Sequence, residues 1–568
     1  MNEEKFYAEL IEALKRAKKR RRISDREVNR IKIELCRKMG MKKIPTNIEI
    51  LLHAKPDDVR ELGLLTKPTR TLSGVAVIAV MSYPFACKHG RCLMCPGGPA
   101  SIFGDVPQSY TGKEPATLRA IRNEFDPYMQ IFNRLEHYFV MGHIPEKVEL
   151  IVMGGTFPSF DWRYQRNFIA YCYKAMNDFS FMFYRKGLFD IDRFKEFFLL
   201  PGKVDDKKRE AMIKKKVRKI KGKADLLKEQ TKNEKSQIRC VGLTVETRPD
   251  FAKLKHANRM LSLGCTRVEL GIQSVYEKAL ESIRRGHSVK DSIRAMRILK
   301  DLGFKINAHY MIGLPSVSFE EDVNGLKELF ANPDFRPDML KIYPCLVVEG
   351  TKLYEMWKKG KYTPLSVNRA AEIIIEFKKV VPEYVRIMRV QRDIPSFMIS
   401  AGPNLTNLRQ FIQEKMKKLG LKCRCIRCRE IGRSGLNKIG KIGYKVLTYE
   451  ASKGLEFFIS AEYKDWLVGF CRMRFPSQSL RKEITERSAL IRELHVYGTA
   501  LPVKAGKVSK LALQVQHKGI GKRLMGIAEK IAKENGKNKM VVISGIGVRE
   551  YYRKLGYRKE GVYMVKRF

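Results

Sequence analysis

Six short apolar stretches recur between residues 75 and 347, and each leads into a polar or glycine turn and then a helical stretch. They read VAVIAVMSYP, VELIVMGGTF, IRCVGLTVETRPD, TRVELGIQS, FKINAHYMIGLP and DMLKIYPCLV. Strands that alternate with helices predict βα units and a parallel sheet. Because six units are too few for a closed eight-stranded barrel, we expect an α/β fold with a partial (β/α)6 barrel or an open sheet.

Polar residues follow four of these stretches at the point where each predicted strand ends. The segments are Gly154-Gly155-Thr156, Glu246-Thr247-Arg248, Gln273-Ser274 and Gly313-Leu314-Pro315. Ligands of parallel sheets bind beyond the carboxyl ends of the strands. We therefore expect one rim of the sheet to carry the chemistry.

The pattern divides the chain into four regions. Residues 1–72 are predicted to form a basic helical region, 73–348 hold the strand–helix units, and 349–440 form a linker. From 441 to 568 antiparallel-looking strands precede a glycine turn, a helix, a strand and a short helix, which predicts a separate mixed α/β domain. A lysine-rich insertion at 203–236 is interpreted as a surface excursion that contacts phosphate, or as a lid.

The charge balance narrows the class of partner. The chain has 111 Lys and Arg residues against 61 Asp and Glu residues, which gives a formal net charge of +50. This excess favours a nucleic-acid partner through counterion release, with a merely solvated basic surface as the alternative. The densest run, KRAKKRRR from Lys15 to Arg22, predicts an RNA-binding module in the N-terminal region.

The sequence also indicates a compartment. The N-terminus MNEEKFYAEL has acids where a signal peptide needs basic residues, and no apolar run reaches about 18 residues. We therefore expect a cytoplasmic protein without a membrane partner. Twelve cysteines in 568 residues are too sparse for a secreted disulfide scaffold, so clustered thiols indicate metal binding or chemistry.

The segment CKHGRCLMCPGG places Cys87, Cys92 and Cys95 in one short loop after the first predicted strand. Three thiolates can hold three corners of a cubane iron–sulfur cluster, whereas a structural cluster or a zinc site takes four protein ligands. The missing ligand would leave one iron open to a substrate such as S-adenosylmethionine. A zinc loop with a fourth ligand elsewhere is the alternative.

Two further motifs carry weaker signals. In QHKGIGKRLM, Gly519 and Gly521 precede an amphipathic helix, where backbone amides can approach a pyrophosphate. In CRCIRC, three closely spaced thiols would need a fourth donor to complete a tetrahedral zinc shell; they are Cys423, Cys425 and Cys428. The cysteines in apolar segments are interpreted as buried hydrophobes; they are Cys36, Cys172, Cys240, Cys265 and Cys471.

A family resemblance joins these motifs. The segments CPGGP, QSYTGKEPATLRAIR, VMGGTFPS, VETRPD, ELGIQS, HYMIGLP, RVQRDIP, RELHVYG, GIGKRLM, YYRKLGY and YMVKRF span about residues 75–568. They resemble the Elongator catalytic subunits, a family that fuses a radical S-adenosylmethionine domain to a GNAT acetyltransferase domain. The resemblance implies that the cysteines of the loop hold a 4Fe-4S cluster. It places S-adenosylmethionine near Gly154, Gly155 and Thr156, with Glu246 and Gln273 as further contacts.

The resemblance also implies an acetyl-CoA site. Its expected contacts on the last domain are Glu493, Leu494, His495, Val496, Gly519, Ile520, Gly521 and Lys522. Tyr551 or Tyr552 would approach the thioester, whereas Tyr557 is assigned to packing. Glu493 or His495 would assist water at the thioester, with a structural histidine as the alternative, and Lys147 would reach acetyl-CoA from the radical domain. Relatives of this type also imply Cys345 as the fourth zinc ligand.

The function implied by the resemblance is a tRNA-modifying enzyme with radical chemistry. A 5′-deoxyadenosyl radical would activate the acetyl methyl group, which would add to carbon 5 of the wobble uridine and leave a carboxymethyl group after hydrolysis. The expected partners are the anticodon arm of tRNA, acetyl-CoA and an electron donor, and the chain would act alone or as a homodimer. The alternatives are a protein-lysine acetyltransferase with a structural iron–sulfur domain, and a non-catalytic tRNA-binding scaffold.

Overall fold

The computed structural model describes residues 3–20, 24–41, 43–62, 64, 74–202, 206–436, 439–497 and 519–568. The end of the basic run, Arg21 and Arg22, and the first three residues of the QHKGIGKRLM motif lie outside the described residues. None of the described helices combines the length and the apolarity that a membrane span requires.

The N-terminal region is helical, and it has a small apolar core of its own. Phe6, Leu10 and Leu14 recur at four-residue spacing along the first helix and are fully buried. The second and third helices begin at capping boxes of Ser24 with Glu27 and of Thr46 with Glu49. The four helices are α1 (Glu3–Arg20), α2 (Asp25–Lys38), α3 (Asn47–His53) and α4 (Pro56–Leu62).

A parallel half-barrel follows, as predicted. Its strands in spatial order are β1, β4, β7, β8, β9, β10 and β11, all parallel, and the two remaining strand pairs are short hairpins. The bounds are β1 (Ala76–Met81), β2 (Gly98–Ser101), β3 (Gly104–Val106), β4 (Lys147–Met153), β5 (Tyr184–Arg185), β6 (Leu188–Phe189), β7 (Arg239–Thr247), β8 (Cys265–Gln273), β9 (Lys305–Ile312), β10 (Met339–Pro344) and β11 (Arg386–Arg389).

The six predicted strands are confirmed, and a seventh, β11, comes from the region interpreted as a linker. Helices cover the outer face of the sheet and bury its apolar residues in one continuous core. The bounds are α5 (Pro115–Arg122), α6 (Pro127–Val140), α7 (Trp162–Phe183), α8 (Ile191–Phe198), α9 (Lys207–Lys221), α10 (Leu226–Asn233), α11 (Leu254–Ser262), α12 (Glu277–Ser282), α13 (Val289–Asp301), α14 (Phe319–Ala331), α15 (Lys352–Lys358), α16 (Val367–Val380), α17 (Leu408–Lys418) and α18 (Ile426–Arg429).

The lysine-rich insertion forms α9 and α10, which pack on the half-barrel. Asn177 on α7 donates to the Glu229 carboxylate on α10 at 2.8 Å, and Arg209 on α9 donates to Glu136 on α6 at 2.5 Å. Both pairs are largely buried, so the insertion is anchored to the barrel by polar contacts as well as by apolar ones.

The last region is a second, mixed sheet with strand order β12, β13, β14, β15, β16, β18, β17. Its first four strands form an antiparallel meander, and β15 then pairs with β16 in parallel. The bounds are β12 (Gly443–Ala451), β13 (Gly454–Tyr463), β14 (Trp466–Phe475), β15 (Ser488–Val496), α19 (Ile520–Glu534), β16 (Lys539–Val542), α20 (Arg549–Arg553), β17 (Arg558–Glu560) and β18 (Tyr563–Arg567).

A buried ionic network joins this second sheet to the amino ends of the barrel strands. Asp338, just before β10, accepts two hydrogen bonds from Arg492 on β15, and one of them measures 2.9 Å. Asp301, at the end of α13, accepts from Arg474 on β14 at 2.6 and 2.8 Å. The network has four carboxylates and four cations, all nearly inaccessible to solvent; they are Asp301, Asp338, Glu456, Glu493, Lys300, Arg472, Arg474 and Arg492.

We expect Asp338→Asn to destabilise the protein by about 3–5 kcal/mol, because the substitution leaves Arg492 and Lys300 buried without their shared carboxylate. Denaturant unfolding followed by circular dichroism measures the loss. The matched control is Glu372→Gln, which removes the half-exposed pair with Arg369 and should cost less than about 1 kcal/mol. Equal losses in both variants would contradict a role for the network in joining the domains.

Candidate active site: a thiol-lined cavity and a splayed-strand cleft

A cavity of about 160 Å³ opens at the carboxyl ends of the barrel strands. Its wall includes all three thiols of the loop that follows β1, together with polar residues from β7 to β11. The predicted residues that line it are Cys87, Cys92, Cys95, Gly155, Thr156, Glu246 and Gln273. The chain thus brings together seven predicted residues from four separate segments.

Hydrogen-bond donors surround the sulfur atoms of the loop. The Gln108 side-chain amide donates to Cys95 Sγ at 3.1 Å, and Arg285 donates to Cys92 Sγ at 3.6 Å. His89 Nε2 lies 3.3 Å from Cys92 Sγ. Donors of this kind stabilise anionic sulfur, so the loop fits thiolates that ligate an iron–sulfur cluster.

Burial sets the protonation of the loop when no metal is bound. It raises the pKa of Cys87 to about 11. The nearby Cys95 adds to this upward shift, and the positive charge of Arg285 opposes it. Burial also lowers the pKa of His89 to about 4, so the imidazole is neutral near pH 7. Deprotonation of the Cys87 thiol therefore has to accompany metal binding.

The glycine turn after β4 is shaped by close packing. Gly154 has a φ of +114°, and a Cβ there would lie 2.4 Å from Ser82 Oγ. Gly155 lies beside Gln108, and a Cβ on it would lie 3.3 Å from the Gln108 Cβ. Gly154 therefore lies behind the cavity wall, whereas Gly155 and Thr156 line the cavity itself.

Gln273 and Glu246 reach the cavity from neighbouring strands. Gln273 has a φ of +65° at the end of β8, and its buried Oε1 has no hydrogen-bond partner among the described residues. Backbone strain and an unpaired acceptor at one residue are typical of ligand sites. Tyr110 donates to Glu246 Oε2 at 3.3 Å.

A band of polar residues that had no role predicted from the sequence lies across the floor of the cavity. Glu269 on β8 accepts from His309 Nε2 on β9 at 2.9 Å and from Lys341 on β10. Arg389 on β11 lines the same floor. The available signal was the presence of charged residues within strands that are otherwise apolar, which indicates a lined site rather than a packed core.

The second sheet contains a cleft at the predicted acetyl-CoA site. Strands β15 and β16 pair only at Ser488–Ile491 with Lys539–Val542, and β15 then continues to Val496 without that neighbour. Helix α19 begins next to this splayed segment, capped by Gly519 at a φ of +75°. The free amides at the start of α19, including those of Ile520, Gly521 and Lys522, suit a pyrophosphate.

The structure separates the candidate tyrosines. Tyr551 is 39% exposed, and its hydroxyl lies 2.7 Å from the Cβ position that would be built on Gly521. Tyr552 is buried and packs edge-on between Tyr551 and Tyr557. Tyr557 is also buried and donates to Glu529 at 2.8 Å. Tyr551 is therefore the tyrosine that reaches the cleft beside α19.

Glu493 and His495 lie on the opposite face of β15 from Leu494 and Val496. Arg472 donates to Glu493 at 2.9 Å, and Arg472 also donates to backbone carbonyls of the barrel region, so Glu493 is tied into the domain interface. His495 stacks on Phe470 and is half-buried, and its desolvation lowers the pKa of His495. Its Nε2 has no partner among the described residues, so His495 is the better placed of the two to contact a ligand.

Lys147 lies at the amino end of β4, beside Arg239 on β7. A Cβ on Gly547, in the turn just before α20, would lie 2.5 Å from the Arg239 Cβ, so the second sheet contacts the barrel here. Along β4, roughly 20 Å separate Lys147 from the glycine turn at the cavity, given about 3.3 Å per residue. The splayed cleft and the thiol-lined cavity thus lie at opposite ends of the barrel strands.

A second group of thiols lies near the amino end of β11. The Sγ atoms of Cys423, Cys425 and Cys428 lie within 4.8 Å of one another, a spacing that suits a metal ion. Lys378 Nζ lies 3.8 Å from Cys428 Sγ. Within the described part of the chain, no fourth His, Cys, Asp or Glu joins the group.

The structure does not bring Cys345, the predicted fourth ligand, to this group of thiols. Cys345 follows the carboxyl end of β10, where its thiol is buried in an apolar cluster with Leu353 and Tyr362. The three-thiol group instead lies beside Val385, at the amino end of β11, since Ile426 N donates to Val385 O at 2.9 Å. Because Cys345 and the three-thiol group lie at opposite ends of neighbouring parallel strands, the Cys345 thiol is out of reach of a metal ion in that group.

Family models match four parts of the chain. They are the ELP3 N-terminal domain at residues 3–72, the radical SAM superfamily at 85–328, the radical SAM C-terminal domain at 337–418 and the GNAT acetyltransferase family at 438–557. Together with the cavity and the cleft, these matches define the class: a radical S-adenosylmethionine protein fused to a GNAT acetyltransferase domain. Such domains imply a 4Fe-4S cluster, S-adenosylmethionine and acetyl-CoA as cofactors.

Whole-length relatives define the family. The tRNA uridine(34) acetyltransferase of Methanocaldococcus infernus is 45% identical over 97% of both chains, and human Elongator complex protein 3 is 39% identical over 98% of this chain and 95% of its own. A solved structure of the M. infernus protein, Elp3 with residues 1–46 deleted, is 41% identical, with a TM-score of 0.70 over 88% of this chain and all of its own. The chain belongs to the family of Elongator complex protein 3 and the archaeal tRNA uridine(34) acetyltransferases.

We expect Tyr551→Phe to slow hydrolysis of acetyl-CoA by about 100-fold, because the hydroxyl beside α19 can donate a proton to the departing sulfur. Release of free coenzyme A, measured by chromatography, reports the rate. Tyr557→Phe is the control, because the Tyr557 hydroxyl donates to Glu529 and does not reach the cleft. The hydrolysis rate of this variant should stay near that of the unsubstituted protein. A normal rate in Tyr551→Phe would remove this tyrosine from the thioester chemistry.

Proposed function

We propose that this protein modifies carbon 5 of the wobble uridine of tRNA with a carboxymethyl group derived from acetyl-CoA. One observation carries the proposal: the thiol-lined cavity and the GNAT cleft occur on one chain, and they hold donors suited to two different cofactors. Relatives named tRNA uridine(34) acetyltransferase, 45% identical across nearly the whole chain, support it.

In this proposal the residues of the cavity hold and orient the radical cofactors. Cys87, Cys92 and Cys95 ligate a 4Fe-4S cluster, and Gln108 and Arg285 stabilise its thiolates. Gly155, Thr156, Gln273 and Glu246 are the candidate contacts for S-adenosylmethionine, with Gly154 shaping the turn behind them. Bound there, the cluster and S-adenosylmethionine would supply a carbon-centred radical, and an external electron donor would have to reduce the cluster.

At the other end of the barrel, the GNAT cleft would hold acetyl-CoA. The amides of Gly519 to Lys522 would bind the pyrophosphate, and the backbone of Glu493–Val496 would pair with the pantetheine arm. Tyr551 would protonate the sulfur, His495 would orient water, and Lys147 would contact the cofactor from β4. Since β15 carries Glu493 and His495 on its barrel-facing side, the acetyl group would point toward the amino ends of the barrel strands.

The same geometry weighs against acetylation of protein lysines. A lysine substrate would have to approach the thioester from the side of β15 that carries Glu493 and His495. That side faces the barrel, where Arg472 links Glu493 to the carbonyl groups of Asp338 and Tyr384. The net charge of +50 also suits a polyanion better than a lysine-rich peptide.

Binding of the tRNA would rely on this positive charge, and the region 1–72 would form part of the surface that binds the anticodon arm. A wobble base lies in a single-stranded loop, so it can be turned into a pocket without melting a duplex. We propose the same division of labour as the sequence suggested: tRNA binding by 1–72, radical chemistry by 73–348, a zinc-bound linker at 349–440 and acetyl-CoA binding by 441–568. The chain would act alone or as a homodimer.

We propose that Cys423, Cys425 and Cys428 bind zinc, because their sulfur atoms lie close enough for one ion. We expect Cys425→Ser to reduce the zinc content, measured by elemental analysis, from about one equivalent to almost none. Cys345→Ser is the matched control and should retain its zinc, since this thiol lies at the other end of the neighbouring strand. Loss of zinc in Cys345→Ser would show instead that Cys345 is a zinc ligand.

We expect Cys92→Ala to abolish carboxymethyluridine formation while leaving the affinity for tRNA almost unchanged, because the loop lies at the cavity and not on the basic N-terminal helices. The assay combines the protein anaerobically with reductant, S-adenosylmethionine, acetyl-CoA and tRNA, followed by mass spectrometry of the nucleosides. Cys172→Ala, in the buried face of α7, is the matched control and should remain active. Product formation by Cys92→Ala would remove the cluster from the reaction.

A further inference from the structure

Four charged side chains and one histidine lie on five consecutive strands of the half-barrel and line the floor of the cavity. We call them the floor band; they are Glu246 (β7), Glu269 (β8), His309 (β9), Lys341 (β10) and Arg389 (β11). Glu246 is in register with Glu269, His309 with Lys341, and Lys341 with Arg389. Hydrogen-bond acceptors therefore line the floor on β7 and β8, and hydrogen-bond donors line it on β9, β10 and β11.

The two carboxylates of the floor band are not equivalent. Glu269 is 1% exposed and is saturated, because it accepts from His309, from Lys341 and from Asn307 Nδ2 at 3.1 Å. Glu246 has one hydrogen-bond partner among the described residues, the Tyr110 hydroxyl, which occupies Oε2. Its second oxygen is therefore available to a ligand in the cavity.

Lys341 is the nearest complementary donor. Its ammonium group has three N–H donors and shares one with Glu269, so the others can serve a ligand. Its positive charge also argues against a metal ion on the carboxylates of the band, although Glu246, Glu269 and His309 lie close enough to ligate one. A metal cation there would be repelled by Lys341 and Arg389.

An acceptor beside a donor is the arrangement that matches a uracil ring. Uracil presents an N3–H donor between two carbonyl acceptors, whereas cytosine presents an unprotonated N3 acceptor beside an amino donor. We propose that Glu246 and Lys341 read the imide edge of the wobble base, with Glu246 accepting from N3–H and Lys341 donating to an adjacent carbonyl. This inference rests on the proposed function, and it assigns Glu246 to the base rather than to S-adenosylmethionine.

The surroundings of Glu246 fit this role. Burial raises the pKa of Glu246 to about 7, an effect that Lys341 opposes and Glu269 increases. The carboxylate is therefore mostly ionised, and able only to accept, at pH 8. Pairing a half-buried carboxylate with the wrong base edge leaves both partners without a hydrogen bond, which is how polar sites reject near-identical ligands.

The test compares the affinity of the full-length, cluster-loaded protein for two tRNA transcripts that differ only in U34 or C34. Fluorescence anisotropy at pH 8 and one fixed salt concentration gives the ratio of dissociation constants. We expect the unsubstituted protein to favour U34 by about tenfold or more. Glu246→Gln, which is nearly isosteric and adds a donor, should bring this ratio close to one while phosphate-driven affinity persists.

Glu281→Gln is the matched control, because Glu281 is exposed on α12 and does not line the cavity, so the U34 preference should survive. Equilibrium dialysis with S-adenosylmethionine separates the two assignments of Glu246. An unchanged U34 preference in Glu246→Gln would overturn the inference, as would an equal loss of affinity for both transcripts, or a loss of S-adenosylmethionine binding alone. Failure of the unsubstituted protein to bind either tRNA would instead contradict the proposed function.

Discussion

The buried ionic network between the second sheet and the barrel is the constraint on which the rest of the structure depends. Eight charged groups with almost no solvent access must remain paired, because a charge left alone in such a site costs several kcal/mol. Arg492 joins Asp338 of the barrel to Glu456 of the second sheet. The network therefore fixes the GNAT domain at the amino ends of the barrel strands and sets its orientation.

This placement gives the two ends of one barrel different chemistry. The thiols and the floor band lie at the carboxyl ends, where loops after each strand converge, and the acetyl-CoA cleft lies about one strand length below. Acetyl-CoA would enter with its thioester toward the barrel, and tRNA would approach from the opposite rim. The proposed reaction thus requires the two-carbon unit to move from one end of the barrel to the other.

Much of this could be predicted from the sequence because the signals are local. The six strands appear as apolar stretches with turns, and the cysteine loop and glycine turns are contiguous motifs. What could not be predicted depends on contacts between distant segments. Strand β11 is short and is defined by its pairing with β10, and the separation of Cys345 from the other three thiols depends on which strand ends they lie beside. The choice of Tyr551 over Tyr552 depends on α19 in the same way. The charges of the floor band could be seen in otherwise apolar strands, but its three in-register pairs could not be predicted.

The central claim is that both halves of the chain serve one reaction on tRNA, and carbon labelling tests it most directly. The cluster-loaded protein is given acetyl-CoA with both acetyl carbons labelled, together with S-adenosylmethionine, reductant and tRNA, and the nucleosides and the protein are then analysed by mass spectrometry. The account predicts a modified wobble uridine that carries both labelled carbons. Label found on lysine side chains, with the uridine left unmodified, would contradict it.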